Sequence, residues 1–210
     1  MRDGPVFRRR HLPHWDIPGA IYFITTCLQG SIPAEGLLDL ARYQKELDAR
    51  HRPAEIPADE WQRRLDKLHF ALADEWLDLR AAVRHLEDPR LAAEVHSALR
   101  HFANERYDVF AYVVMPSHMH WVMRPREEWI AAHPEITDRT AREVIMHSVK
   151  RHSALKCNEL LGFVGTFWQA ESYDHCIRDL DELLRCIAYV ENNPVKAGLV
   201  KSAAEWKYSS

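Results

Sequence analysis

Two histidines one residue apart, His118 and His120, stand in the stretch AYVVMPSHMHWVMR. Side chains on a strand alternate between faces, so both imidazoles project the same way, together with Val122 and Arg124. Met119, Trp121 and Met123 take the other face and read as core. Paired imidazoles on a non-core face suit a divalent metal ion. The competing explanation is packing or surface placement, in a chain that has 13 histidines.

A second group lies far downstream, in LDELLRCIAYVENNP. At ~100° per residue, Leu183, Leu184, Ile187 and Val190 form one apolar side of a helix. Tyr189 falls opposite, with Arg185 and Asn193 four residues either way and Glu182 nearby. A bulky, half-apolar side chain there calls for a covering layer. It either packs beneath a neighbouring element or does chemistry.

Two imidazoles and the Asn193 amide oxygen can hold a divalent cation and leave positions open for a phosphate oxygen. A cation so placed acts as a Lewis acid on phosphorus. A phenol with a pKa near ~10 is a poor nucleophile at neutral pH, but a metal and a cationic neighbour make it a credible one. Tyrosine attack on a phosphodiester conserves the bond energy for rejoining. That is strand-transfer chemistry, beyond simple hydrolysis.

The elements that must position these groups follow from local pattern. Residues 20–28, AIYFITTCL, are β-branched and aromatic and predict a strand. Residues 37–79 read as two helices broken around Pro53 and Pro57. Asp88 caps a helix with Pro89 at its first position and Leu91, Val95, Leu99 and Phe102 as its buried stripe. Strands follow over 108–115 and 118–124, joined by Pro116-Ser117. Thr140 and Glu143 form a capping box for a helix that ends at Gly162. The segment from Gly165 to Arg178 reads as extended. The last helix is predicted to stop near Asn193, because a proline disfavours helical geometry in the residue before it. This order predicts an α+β sandwich, an antiparallel sheet covered by helices.

A chain of 210 residues with 47% hydrophobic content can bury one substantial core. We expect one domain over residues 1–210, with a helical elaboration at about 37–79. No apolar run is long enough for a membrane span, and no signal peptide is evident. Cys27, Cys157, Cys176 and Cys186 show no paired spacing, which fits a reduced cytoplasmic protein. The net charge is −3, but charge is unevenly spread. Arg139, Arg142, Lys150, Arg151 and Lys156 are set against one acid, Glu143. Arg8-Arg9-Arg10 forms a second basic cluster. A local basic surface can hold phosphates, although a charge run is more often a solvated face. Trp121 and Trp168 read as core rather than base-stacking platforms.

The segment YVVMPSHMHWV resembles the His-hydrophobic-His strand of the HUH single-strand DNA endonucleases. GTFWQAESYDHCIRD followed by YVENNPVKAGLV resembles the C-terminal signature of the REP-associated tyrosine transposases, which are single-tyrosine, insertion-sequence-like enzymes. PHWDIPGAIYFITTCL is similar to that family's first strand, and Trp206-Lys-Tyr-Ser-Ser210 to its closing motif. The resemblance covers the first strand and most of the chain from about Asp88.

It implies a ferredoxin-like α+β sandwich, with His118 and His120 as metal ligands, Asn193 as the third ligand and Tyr189 as the nucleophile. It implies cleavage of single-stranded DNA beside palindromic hairpins, giving a 5′-phosphotyrosine and a free 3′-hydroxyl, with Mg²⁺ or Mn²⁺. A monomer or a homodimer fits. Arg142, Lys150, Arg151 and Lys156 are candidate phosphate contacts, and His175 and Arg178 are candidates for DNA contact or site support. Residues 37–79 have no counterpart in the compact members of the family. Two other readings stay open. One is a domesticated hairpin-DNA-binding protein without transposition activity. The other is a zinc or nucleotide hydrolase built on His-x-His, which the lack of an acidic ligand close by disfavours.

Overall fold

Val6–Arg9 (β1) and Pro13–Asp16 (β2) pair as a short antiparallel hairpin. The β-branched and aromatic run Ile21–Cys27 forms β3. Two helices follow, Ala34–Asp48 (α1) and Ala58–Leu79 (α2), and then Pro89–His101 (α3). Tyr107–Val114 (β4) and His118–Pro125 (β5) form a hairpin. Glu127–Ala132 (α4), Ala141–Leu161 (α5), Tyr173–Ile177 (β6) and Leu180–Lys196 (α6) complete the order. This computed structural model describes residues 6–9, 13–134 and 138–210. Side chains before Asp16, including the Arg8-Arg9-Arg10 cluster, lie outside the described residues. Among the described residues, no helix is long and apolar enough to cross a membrane.

The main sheet has the order β4-β5-β3-β6, with every neighbouring pair antiparallel. Its first and third strands, β3 and β5, lie in the centre. With α3 after the first strand and α5 after the third, this is the ferredoxin-like arrangement. The predicted caps are present. Asp88 accepts from the Arg90 backbone N–H at 2.9 Å, and Thr140 and Glu143 exchange both capping-box bonds. Gly162 ends α5 in the left-handed region, at φ +61°, which glycine adopts without a Cβ clash.

Strand alternation divides the core. Met119, Trp121 and Met123 pack with Leu91, Val95, Leu99, Ile145 and Val149, and so face α3 and α5. Trp168 joins the same core. On the opposite face Phe23, Val113 and Val122 pack with Val190 of α6 and with Phe70 of α2. A third cluster of Ile32, Leu40, Trp76 and Leu77 joins α1 and α2 to Cys27 at the end of β3. The closing segment pairs along β4: Val114 N–H donates to Tyr208 O, and Ser210 N–H to Tyr112 O. That covers backbone groups an edge strand otherwise leaves open.

Three expectations need correction. The two helices of the 37–79 region occupy 34–48 and 58–79, so α1 starts earlier than its apolar residues indicated. Helix α6 does not stop at Asn193 but continues through Pro194 to Lys196. The bias against helix before a proline is a preference; here Asn193 and Pro194 are both buried. Ala197 N–H donates to Asn193 O at 2.9 Å beyond the proline. The apolar side of α6 is also displaced. Leu184 is 56% exposed, while Tyr189 packs partly buried against Phe23 and Val190. The predicted polar side is therefore partly the sheet-facing side.

Candidate metal and tyrosine centre

His118 and His120 are fully buried, beneath α2 and α6 rather than on an open face. Their Nε2 atoms converge to 2.9 Å. A hydroxyl orients each ring from behind: Thr25 Oγ1 lies 2.7 Å from His120 Nδ1, and Ser117 Oγ 2.9 Å from His118 Nδ1. Ser117 donates its own hydrogen to Leu77 O. Its oxygen is then left to accept from His118 Nδ1–H, which turns the lone pair of His118 Nε2 toward His120. Partners of this kind fix tautomer and ring angle in metal sites.

Helix α2 contributes two carboxylates. Asp74 Oδ1 lies 3.3 Å from His120 Nε2, and Asp78 Oδ1 lies 3.6 Å from His118 Nε2. One ligand atom each from Asp74, His118 and His120 falls within 4.8 Å of the others. Lys196 Nζ reaches Asp74 Oδ2 at 2.7 Å and Asp78 Oδ2 at 3.1 Å. Burial pushes Asp74 up, but His120, His118 and Lys196 outweigh it and hold the carboxyl well below its usual range. Burial and the charge of Asp74 push Asp78 up. Burial, reinforced by His120, depresses His118 well below an ordinary histidine. A neutral imidazole is the form that binds a metal.

Tyr189 comes down on this group from α6. Its ring centroid is 5.5 Å from that of His120 and 5.8 Å from that of Phe23. Its hydroxyl donates to Asp74 Oδ2, and Lys196 Nζ sits 5.3 Å from its ring centroid. Burial, then the Asp74 and Asp78 carboxylates, raise its pKa far above the ordinary phenol value. The phenol is held protonated. One turn further, Asn193 is fully buried, and neither atom of its amide has a hydrogen-bond partner. Asp74 Oδ1 and Asp78 Oδ1 also lack hydrogen-bond partners, whereas Asp78 Oδ2 faces the Lys196 ammonium at 3.1 Å. Buried polar groups normally have partners, so this donor set of imidazole nitrogen, carboxylate and amide oxygen fits a divalent cation.

The predicted constellation of His118, His120 and Tyr189 therefore meets in one place, with Asn193 a turn away on α6. Sequence reading missed Asp74, Asp78 and Lys196. The available signal was two acids four residues apart in the same helical stripe as Phe70 and Leu77. Lys196 was hidden by ending the helix at Asn193. The acidic side chains judged absent near the histidines come from α2.

The candidate phosphate contacts are placed differently from one another. Arg142 is buried and spends its guanidinium on Asp16, at 2.7 and 2.9 Å, and on Asp174 at 3.2 Å. Lys150 turns inward to Gln169 O at 2.6 Å and Ala170 O at 3.2 Å, and burial lowers its pKa to about 8. Arg151 is exposed, and Lys156 is half-exposed beside Glu159. His175 and Arg178 both bind the buried Glu182, which also receives Lys67 of α2. Arg139, His147, Lys150 and Arg151 line a groove of about 570 Å³ along α5, with Phe167 and Gln169 opposite.

The fold thus places paired histidines on a central strand of a ferredoxin-like sheet, with a tyrosine on the helix facing them. No family model matches the chain. A REP-associated tyrosine transposase of Escherichia coli is 25% identical over 115 residues, which is 55% of this chain and 61% of that protein. A relative of the same family name from Haemophilus influenzae is 27% identical over 111 residues, 50% of this chain and 58% of that protein. The matched region thus spans about three-fifths of each curated relative. A solved REP-associated tyrosine transposase bound to a REP hairpin superposes at TM-score 0.50 with 19% identity, covering 96% of this chain and 80% of that one. That likeness concerns the fold. Over about half of its length the chain is thus similar in sequence to REP-associated tyrosine transposases.

Proposed function

We propose that this protein is a metal-dependent single-strand DNA endonuclease and strand transferase, acting beside palindromic hairpins through Tyr189. The observation that carries the reading is the meeting of Tyr189 with His118 and His120 across the sheet face, around one shared carboxylate. His118, His120, Asp74 and Asn193 would hold the ion. Two imidazoles favour Mn²⁺ over Mg²⁺ where both are present. The bound ion would supply Lewis-acid stabilisation of charge on the phosphate. Tyr189 would pass its proton to Asp74 Oδ2 and attack phosphorus as the P–O3′ bond breaks. The leaving 3′-oxygen would take up a proton, leaving a 5′-phosphotyrosine and a 3′-hydroxyl. Lys196, half-exposed at the rim, would balance negative charge at the tyrosine oxygen.

Hairpin DNA is the partner this reading assigns, held by solvent-facing cations such as Arg151, Lys156 and Arg178. The paired uses of Arg142, Lys150 and His175 favour support of the fold for those three. A monomer or a homodimer is compatible with this reading. We read residues 1–210 as one catalytic unit in the cytoplasm, with α1 and α2 as its elaboration.

The test is a denaturing gel of the protein incubated with Mn²⁺ and single-stranded hairpin DNA from its host's repeats. Wild type should form a covalent adduct. Tyr189→Phe should bind the hairpin within about twofold and form none. An adduct from Tyr189→Phe defeats the nucleophile assignment. Binding without any adduct from wild type leaves the domesticated hairpin binder as the better reading.

A further inference from the structure

The two oxygens of Asp74 face different partners. Oδ1 lies 3.3 Å from His120 Nε2 and has no hydrogen-bond partner. Oδ2 accepts from both the Tyr189 hydroxyl and the Lys196 ammonium. The carboxylate is 1% exposed, and Lys196 on one oxygen resists its rotation. The C-terminal half of α2 is itself fastened over the sheet. Phe70 stacks on Tyr173 with ring centroids 4.1 Å apart and meets Phe23 edge-on at 5.6 Å, while Leu77 O receives the Ser117 hydroxyl at 2.9 Å.

We propose that Asp74 is a positioning residue that couples the metal to the nucleophile: Oδ1 completes the ligand set begun by the histidines, and Oδ2 fixes the Tyr189 oxygen beside it. A carboxylate is rigid and planar, so an ion on one oxygen and a phenol on the other keep a set separation. Positioning of this kind raises rate without adding a reacting group. It also gives the inserted helices a role. Helix α2 becomes part of the catalytic centre rather than an appendage for gripping a hairpin. What Tyr189 does to DNA rests on the function proposed above; the coupling itself does not.

The test uses the full chain, stripped by chelator and titrated with Mn²⁺. Free Mn²⁺ is read by electron paramagnetic resonance, and tyrosine by near-ultraviolet difference absorbance. Wild type should show a tyrosine signal that saturates together with Mn²⁺ binding. Tyr189→Phe should lose the signal and shift Mn²⁺ affinity by twofold or more, since coupling is reciprocal. Asp74→Asn should bind Mn²⁺ about tenfold or more weakly and show no signal at saturating Mn²⁺. A wild-type signal in Asp74→Asn overturns the proposal. So does an unchanged Mn²⁺ affinity in Tyr189→Phe, a readout that stands even if Asp74→Asn does not fold. Neither measurement needs DNA. Intact coupling without an adduct would count against strand transfer alone. A wild-type adduct rate in Asp74→Asn at saturating Mn²⁺ would count against the coupling alone.

Discussion

Tyr189 on α6 donates its hydroxyl to Asp74 on α2, a partner 115 positions earlier in the chain. Beneath the helices that carry them lie the two histidines of β5. A side chain that looked misplaced on its own helix is thus one wall of a buried polar centre. Several measurements bear on that centre and on the scaffold around it.

The Thr25 hydroxyl touches no metal position, yet it sets the ring of His120 from 2.7 Å behind. Thr25→Val keeps the shape and removes the hydrogen bond. Mn²⁺ affinity should fall about 10- to 100-fold with hairpin affinity unchanged. Calorimetric titration checks this, and an unaltered affinity would show that His120 is oriented by packing alone.

Arg142 tests the distinction between a phosphate contact and a fold support. Arg142→Met leaves Asp16 and Asp174 buried without their cation. Breaking a buried pair from one side costs about 3–5 kcal/mol, so the urea midpoint should drop sharply. The salt dependence of hairpin binding should stay as in wild type. A smaller slope at unchanged stability would return Arg142 to the DNA surface.

Arg151 and Lys156 carry the opposite expectation. Each of Arg151→Gln and Lys156→Gln should leave the melting temperature unaltered. Each should reduce the slope of log affinity against log salt by about one. Fluorescence anisotropy with hairpin DNA across a salt series measures it. Slopes equal to wild type would place the DNA elsewhere.

Acid sensitivity follows from burial. His69, His96, His118 and His175 are all depressed below the ordinary histidine value, chiefly by desolvation. As pH falls through ~6.5 the unfolded chain takes protons that the folded chain refuses. Stability is therefore full above that pH and is lost below it, at up to about 1.4 kcal/mol per pH unit for a fully buried histidine such as His118. Asp78, pushed up by burial and by Asp74, works in the opposite sense, but it is one carboxyl against four histidines. Urea midpoints of chelator-treated protein should fall from pH 7 to pH 5. A flat or rising profile would contradict the sign.

Much of the scaffold was legible because it is written locally. The Thr140–Glu143 capping box, Asp88 before Pro89, and Gly162 after α5 mark helix ends through contacts a few residues apart. The two-residue period of a strand put His118 and His120 on one face, and Met119, Trp121 and Met123 on the other. Those short-range rules yielded the strand and helix order, and with it an α+β sandwich; the ferredoxin-like form was what the family resemblance implied. A resemblance carried by the blocks around His118 and Tyr189 named the candidate nucleophile and the histidine pair.

Periodicity can say which residues share a face, but which face is covered depends on what folds over it. Only the tertiary structure turned the polar side of α6 toward the sheet, by laying α2 and α6 over the face that holds the histidines. It alone carried α6 through Pro194 to bring in Lys196, because burial of Asn193 and Pro194 outweighs a local backbone preference. Nothing in the local pattern singled out Asp74 and Asp78, and Arg142 read as a candidate phosphate contact. The charges that pair with them lie more than a hundred residues away in Lys196 and Asp16. Electrostatic partners are chosen by proximity in space, and one-dimensional spacing does not encode it.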